Sequence, residues 1–112
     1  MSMNCDIILQ WRATPEQLTA VGAALWSWCN RAAGATGIYQ YLDNQALADL
    51  IAGKLPASSQ TPRRDDRRGV HFWFQAEAFQ NRRATIGSLR REIPAEGVED
   101  IVIDGKSWNL ID

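Results

Sequence analysis

His71 is the single imidazole of the chain. It is therefore the one side chain that titrates near neutral pH without a perturbed environment. It stands in Val70-His71-Phe72-Trp73-Phe74, where alternation places His71 and Trp73 on one side of a strand and Val70, Phe72 and Phe74 on the other. A histidine beside an indole can serve as a general base or hydrogen-bond a ligand. No Ser or Cys occupies a recognisable nucleophile elbow, and the nearest acids along the chain are Asp65 and Asp66. No catalytic residue is assigned, and a non-catalytic role is the expectation.

Arginine forms the second chemical feature. Residues 63–91 hold eight Arg against three acids, a segment charge of +5. The remaining 83 residues hold four basic and ten acidic groups, or −6, so the net charge of −1 conceals a segregation. Arg63, Arg64, Arg67 and Arg68 lie in a loop and could contact phosphates, with neighbouring aromatic rings stacking on bases. The Asp65-Asp66 pair inside that run argues against a phosphate-tracking surface and for mutual neutralisation. Arg68-Gly69-Val70-His71-Phe72 resembles the opening of the ribonucleoprotein-1 motif. It departs from that motif at Val70, His71 and Gln75, so no family is assigned. Arg82 falls inside the apolar stripe of a predicted helix. There it either snorkels past the core edge or holds a carboxylate or phosphate.

Cys5 and Cys29 are expected to be buried free thiols in a reducing cytoplasm. With one histidine they make no zinc set. No cofactor is expected, and the eight glycines form no phosphate-cradling loop. No stretch approaches the roughly 18 apolar residues of a membrane span. Met1 to Asp6 shows no basic region followed by an apolar run, so no signal peptide is expected.

These residues must be positioned by regular elements. Cys5 to Trp11 reads as a central strand, with Trp11 in the core. Thr14, Pro15 and Gln17 make a capping box that opens a helix over 15–33. Its stripe is Leu18, Val21, Gly22, Leu25, Cys29 and Ala32. Trp28 lies near that stripe, while Trp26 lies at its far edge, where a subunit or ligand could meet it. Gly37 to Leu42 reads as a second strand, carrying Tyr39 and Tyr41 on one side. Asp43 or Asn44 caps a short helix over 44–53 with Leu47, Leu50 and Ile51 as its stripe. Residues 54–68 read as a long loop, expected to be mobile.

Val70 to Phe74 is a third strand, and a helix over 78–92 follows with Phe79, Ile86, Leu89 and Ile93 inward. Val98 to Ile103 is a fourth strand. Asp104-Gly105 signals a type I′ turn, and Lys106 to Ile111 returns as a fifth strand with Trp108 as a core residue. The order β-α-β-(α)-β-α-β-β predicts one α+β domain over 1–112. Its expected fold is a ferredoxin-like sandwich, a mainly antiparallel sheet with helices on one face and a C-terminal hairpin.

Such a sheet leaves one face uncovered, and every assignment of the alternating residues makes that face aromatic or apolar. The expectation is a small cytoplasmic binding or adaptor protein, acting through this face as a homodimer. Its candidate ligand or interface residues are Trp26, Tyr39, Tyr41, His71, Trp73 and Arg82. Its partner would be a protein or a small apolar or anionic ligand. The alternative is a cofactor-independent enzyme or small-ligand carrier of the dimeric α+β barrel kind, with an aromatic pocket near His71. Nucleic-acid binding through 63–91 stands third.

Overall fold

The computed structural model describes residues 2–36, 39–56, 69–75 and 82–107, with side chains over 3–31, 42–56, 69–73 and 87–107. Its elements are β1 (Ser2–Leu9), α1 (Pro15–Thr36), β2 (Tyr39–Leu42), α2 (Asn44–Ile51), β3 (Gly69–Gln75), α3 (Arg82–Glu92), β4 (Val98–Ile103) and β5 (Lys106–Ser107). The five strands form one sheet in the order β2-β3-β1-β4-β5, antiparallel at every step. The Cα radius of gyration is 12.9 Å, that of a folded domain of about 100 residues.

Local chemistry explains several boundaries. The Gln17 backbone N–H donates to Thr14 Oγ1 at 3.2 Å, and the Thr14 N–H donates to Gln17 Oε1 at 3.0 Å. This reciprocal pair satisfies two donors at the start of α1. Asp43 caps α2 by accepting from the Ala46 N–H at 3.1 Å. Asp104 and Gly105 both take positive φ, 50° and 85°, as a type I′ turn requires. The Asp104 carboxylate also accepts from the Asn4 N–H at 2.9 Å, tying this hairpin to β1.

One core joins the layers. The odd positions of β1 (Met3, Cys5, Ile7, Leu9) meet Val70 and Phe72 of β3 and Ile101 and Ile103 of β4. Above them lie Leu18, Val21, Leu25, Trp28 and Cys29 of α1, Ala46, Leu47 and Leu50 of α2, and Leu89 with Ile93 at the end of α3. Trp28 is 2% exposed and meets Phe72 edge-on, with centroids 6.1 Å apart. Its indole N–H donates to Ser88 Oγ at 3.0 Å, linking α1 to α3. Arg31 and Glu92 form an ion pair across the same two helices.

Two glycines are required by close approach. A Cβ on Gly22 would lie 2.9 Å from Leu50 Cβ, which permits α1 and α2 to pack tightly. A Cβ on Gly69 would lie 2.0 Å from the Ile7 carbonyl oxygen, so β3 can pair with β1 there only with glycine.

The structure corrects three expectations. β1 runs Ser2–Leu9 rather than Cys5 to Trp11, and Trp11 is 58% exposed rather than in the core. The ladder shifts between Ile8 and Leu9, and the chain turns at Trp11, beyond the last paired residue. Ile51 is exposed, and Ala46 completes the α2 stripe with Leu47 and Leu50 instead. Residues 57–68, Phe79 and Trp108 lie outside the described residues. No described helix is long and apolar enough to cross a membrane.

Candidate functional site

Sheet register decides which residues share the face opposite the helices. Phe72 and Val70 are fully buried in the core, so His71 and Trp73 of β3 face away from the helices. Cross-strand pairing then builds rows across the sheet. His71 opposes Asp6, Asp6 opposes Val102, and Val102 opposes Ser107. In the next row Trp73 opposes Asn4 on one side and Tyr41 on the other. A third row holds Gly69, Ile8 and Asp100. Each described helix contributes to the core on the other face, so none covers this one.

The centre of the face is polar. His71 Nδ1 lies 2.7 Å from Asp6 Oδ1, with the two side chains 17% and 7% exposed. Asp6 sits on the central strand, between β3 and β4. A carboxylate in that position is costly unless it is hydrogen-bonded, and the imidazole supplies the bond. A neutral His71 donates from Nδ1–H to the carboxylate. A protonated His71 forms an ion pair with the same oxygen. Asp6 thus holds the orientation of the ring, as a carboxylate does wherever it is hydrogen-bonded to a histidine.

Asp100, two residues from Val102 along β4, accepts from Ser107 Oγ and from its neighbour's N–H on Ile101, each at 2.8 Å. It therefore braces the β4–β5 hairpin. Behind the face, Cys5 is fully buried, and its thiol is pushed well above the ordinary range. Burial is the main cause, and the nearby charges of Asp6, Cys29 and Asp104 add to it. Cys5 and Cys29 are both buried free thiols, inert in such surroundings.

The sequence-selected residues separate into groups. His71 and Trp73 come together, two positions apart on β3. Tyr41 joins them by backbone register and Tyr39 lies on the same strand, with both side chains outside the described residues. Trp26 does not join them. It is 52% exposed on α1, in the helical layer. Arg82 begins α3, again with its side chain outside the described residues. Arg63, Arg64, Arg67 and Arg68 lie outside them altogether. A shallow depression beside α1, lined in part by Pro15, Thr19, Ala20, Ala23 and Gly53, holds none of the selected residues.

Among the described residues the acid beside His71 is Asp6, 65 positions away in the chain; Asp65 and Asp66, the nearest acids in sequence, lie outside the described residues. A signal for Asp6 was present. It is a charged residue inside the apolar run Cys5-Asp6-Ile7-Ile8-Leu9, and a charge in a central strand needs a partner. Among the described residues no group of three His, Cys, Asp or Glu could hold a metal ion. In comparisons with known proteins, the chain matches no family model, no curated protein and no solved structure.

Proposed function

We propose that this chain is a binding protein that works through the sheet face that no described helix covers and forms a homodimer across that face. The observation that carries the reading is the placement of Trp73, His71 and Val102, all half-buried, on a face that no described helix covers. An indole and aliphatic side chains around a polar centre resemble the make-up of an interface core more than an ordinary solvated surface. A second copy meeting the same patch would satisfy the self-complementarity of a two-fold interface. The ferredoxin-like assignment is proposed with it. Its support is the strand order, in which β3 lies between β1 and β2 and β1 lies between β3 and β4. The free buried thiols fit a reducing compartment such as the cytoplasm.

Light scattering across a concentration series tests the dimer. The wild type is expected at twice the monomer mass, and Val102→Glu at the monomer mass with unchanged circular dichroism. A wild type that stays monomeric at high concentration overturns the proposal. The second reading, a small-ligand carrier or enzyme of the dimeric α+β barrel kind, draws its support from the Asp6–His71 pair.

A further inference from the structure

We propose that the outer side of α1 is a second self-association surface, on which two copies of the chain pair their α1 helices antiparallel about a two-fold axis at Ala23. The surface lies on the helical side of the domain, away from the sheet face, and does not rest on the reading of that face.

The outer side of α1 departs from that of a solvated helix, which carries charged and polar residues. Glu16 and Arg31 are the one acid and the one base of this helix, and the chain from Gln17 to Asn30 holds no charge. Leu18, Val21, Leu25, Trp28 and Cys29 are turned to the core. The opposite side is a seam of Glu16, Thr19, Ala23, Trp26 and Asn30, all exposed and spaced by three and four residues in turn. That spacing keeps one stripe of a helix against one partner helix. Trp26 stands 52% exposed in the seam, and the exposed Ile51 of α2 borders it at Thr19. An exposed indole on a charge-free patch matches the make-up of an interface core.

The order of residues along the seam names a second copy as the occupant. Reversing the helix about Ala23 sets Ala23 against Ala23, Trp26 against Ala20, and Glu16 against Asn30, next to Arg31. The largest side chain then meets small ones, since Ala20, Thr19 and Ala23 line the shallow depression beside α1. Each end of the pair joins the Glu16 carboxylate of one copy to the Arg31 guanidinium of the other. A parallel pair would instead set like charges together, and it would align the helix dipoles unfavourably. Arg31 remains exposed while it pairs with Glu92, and its five N–H donors can serve two carboxylates. Polar groups of the seam are bonded within the chain. Thr19 Oγ1 donates to the Ile51 carbonyl at 3.2 Å, and Asn30 Nδ2 donates to the Trp26 carbonyl at 2.9 Å. Both bonds persist when the face is covered, which lowers the cost of covering it. One helix pair is a small contact beside the roughly 1,200–2,000 Å² of a stable interface, so this contact is transient.

Disulfide trapping reads a transient contact. The background is Val102→Glu, which removes the sheet-face contact, and the native Cys5 and Cys29 are buried. Ala23→Cys places a thiol at the axis, where two copies meet. Asn30→Cys places an exposed thiol on the same seam, but in the pair its two copies stand about 21 Å apart along the helix. Under air with copper phenanthroline, Ala23→Cys is expected to cross-link about tenfold faster than Asn30→Cys. Adding Trp26→Glu is expected to slow the Ala23→Cys cross-link about tenfold. Adding Glu16→Arg is expected to slow it about threefold. Circular dichroism should be unchanged throughout. Equal rates for the two thiols, or an Ala23→Cys rate indifferent to Trp26→Glu, overturn the proposal. A wild type that is monomeric by light scattering while Ala23→Cys still traps overturns the sheet-face dimer alone.

Discussion

Replacing His71 by Leu leaves the Asp6 carboxylate in the middle of the sheet, 7% exposed and without its described hydrogen-bonding partner. Removing one partner of a buried charged pair costs about 3–5 kcal/mol, because the remaining charge is uncompensated. The 17% exposure of His71 lets water reach the vacated space, which favours the lower end, about 3 kcal/mol. Asp6→Leu is milder. It leaves a neutral imidazole with an unmet donor at the sheet surface, at about 1–2 kcal/mol. Independent effects would sum to about 4–5 kcal/mol in the double variant. An apolar pair in place of a buried ionic one is instead close to neutral, so the double variant is expected within about 1 kcal/mol of wild type. The coupling is then about 3 kcal/mol.

A chain of 112 residues has a total stability of roughly 6–17 kcal/mol, so each variant still folds and can be measured. Urea denaturation followed by tryptophan fluorescence gives the four free energies. All four are measured at one protein concentration, since a dimer's stability depends on it. Single effects that add to within about 0.5 kcal/mol would refute the pairing as the reason Asp6 is tolerated in β1.

Three further outcomes follow from the packing. Gly69→Ala places a Cβ about where the Ile7 carbonyl oxygen lies, 2.0 Å away. It is expected to destabilise by about 3 kcal/mol, read as a lowered denaturation midpoint, whereas Gly87→Ala, whose Cβ meets nothing closer than 3.4 Å, should be neutral or better. Trp28→Ala should cost about 3–5 kcal/mol through the cavity it opens. Ser88→Ala removes the hydrogen bond to that indole and should cost about 1 kcal/mol; equal losses would contradict the core assignment. The buried Cys5 thiol stays neutral in the fold to higher pH than in the unfolded chain. Its contribution to stability is therefore complete below the ordinary thiol range and is lost as pH rises through and beyond it. Cys5→Ala should flatten the alkaline limb of the stability profile relative to wild type.

A local feature is legible in the sequence where one stretch of chain contains all its partners. Thr14 and Gln17 cap each other within a single turn, and Asp104-Gly105 closes a hairpin between adjoining strands. The α1 stripe of Leu18, Val21, Leu25 and Cys29 is buried along its length because a 3.6-residue repeat admits one inward side. Trp11 and Ile51 depart from their elements' burial patterns, both being exposed. Each apolar type continues its element's pattern on paper, yet each stands where that element ends and the chain turns away from the core.

The sequence by itself determined the order of the described elements, the caps of α1 and α2, and the two alternating sets of residues on β2 and β3. Tertiary structure alone decided which set of β3 turns inward, and it joined Asp6 to His71 across 65 positions of chain. The physical reason is that alternation has a period of two and is silent about which side is buried. That choice comes from strand order and register, where a slip of one residue would exchange Phe72 for His71 in the core. Once Phe72 packs against Trp28, His71 must face the other way, and β1 brings Asp6 beside it.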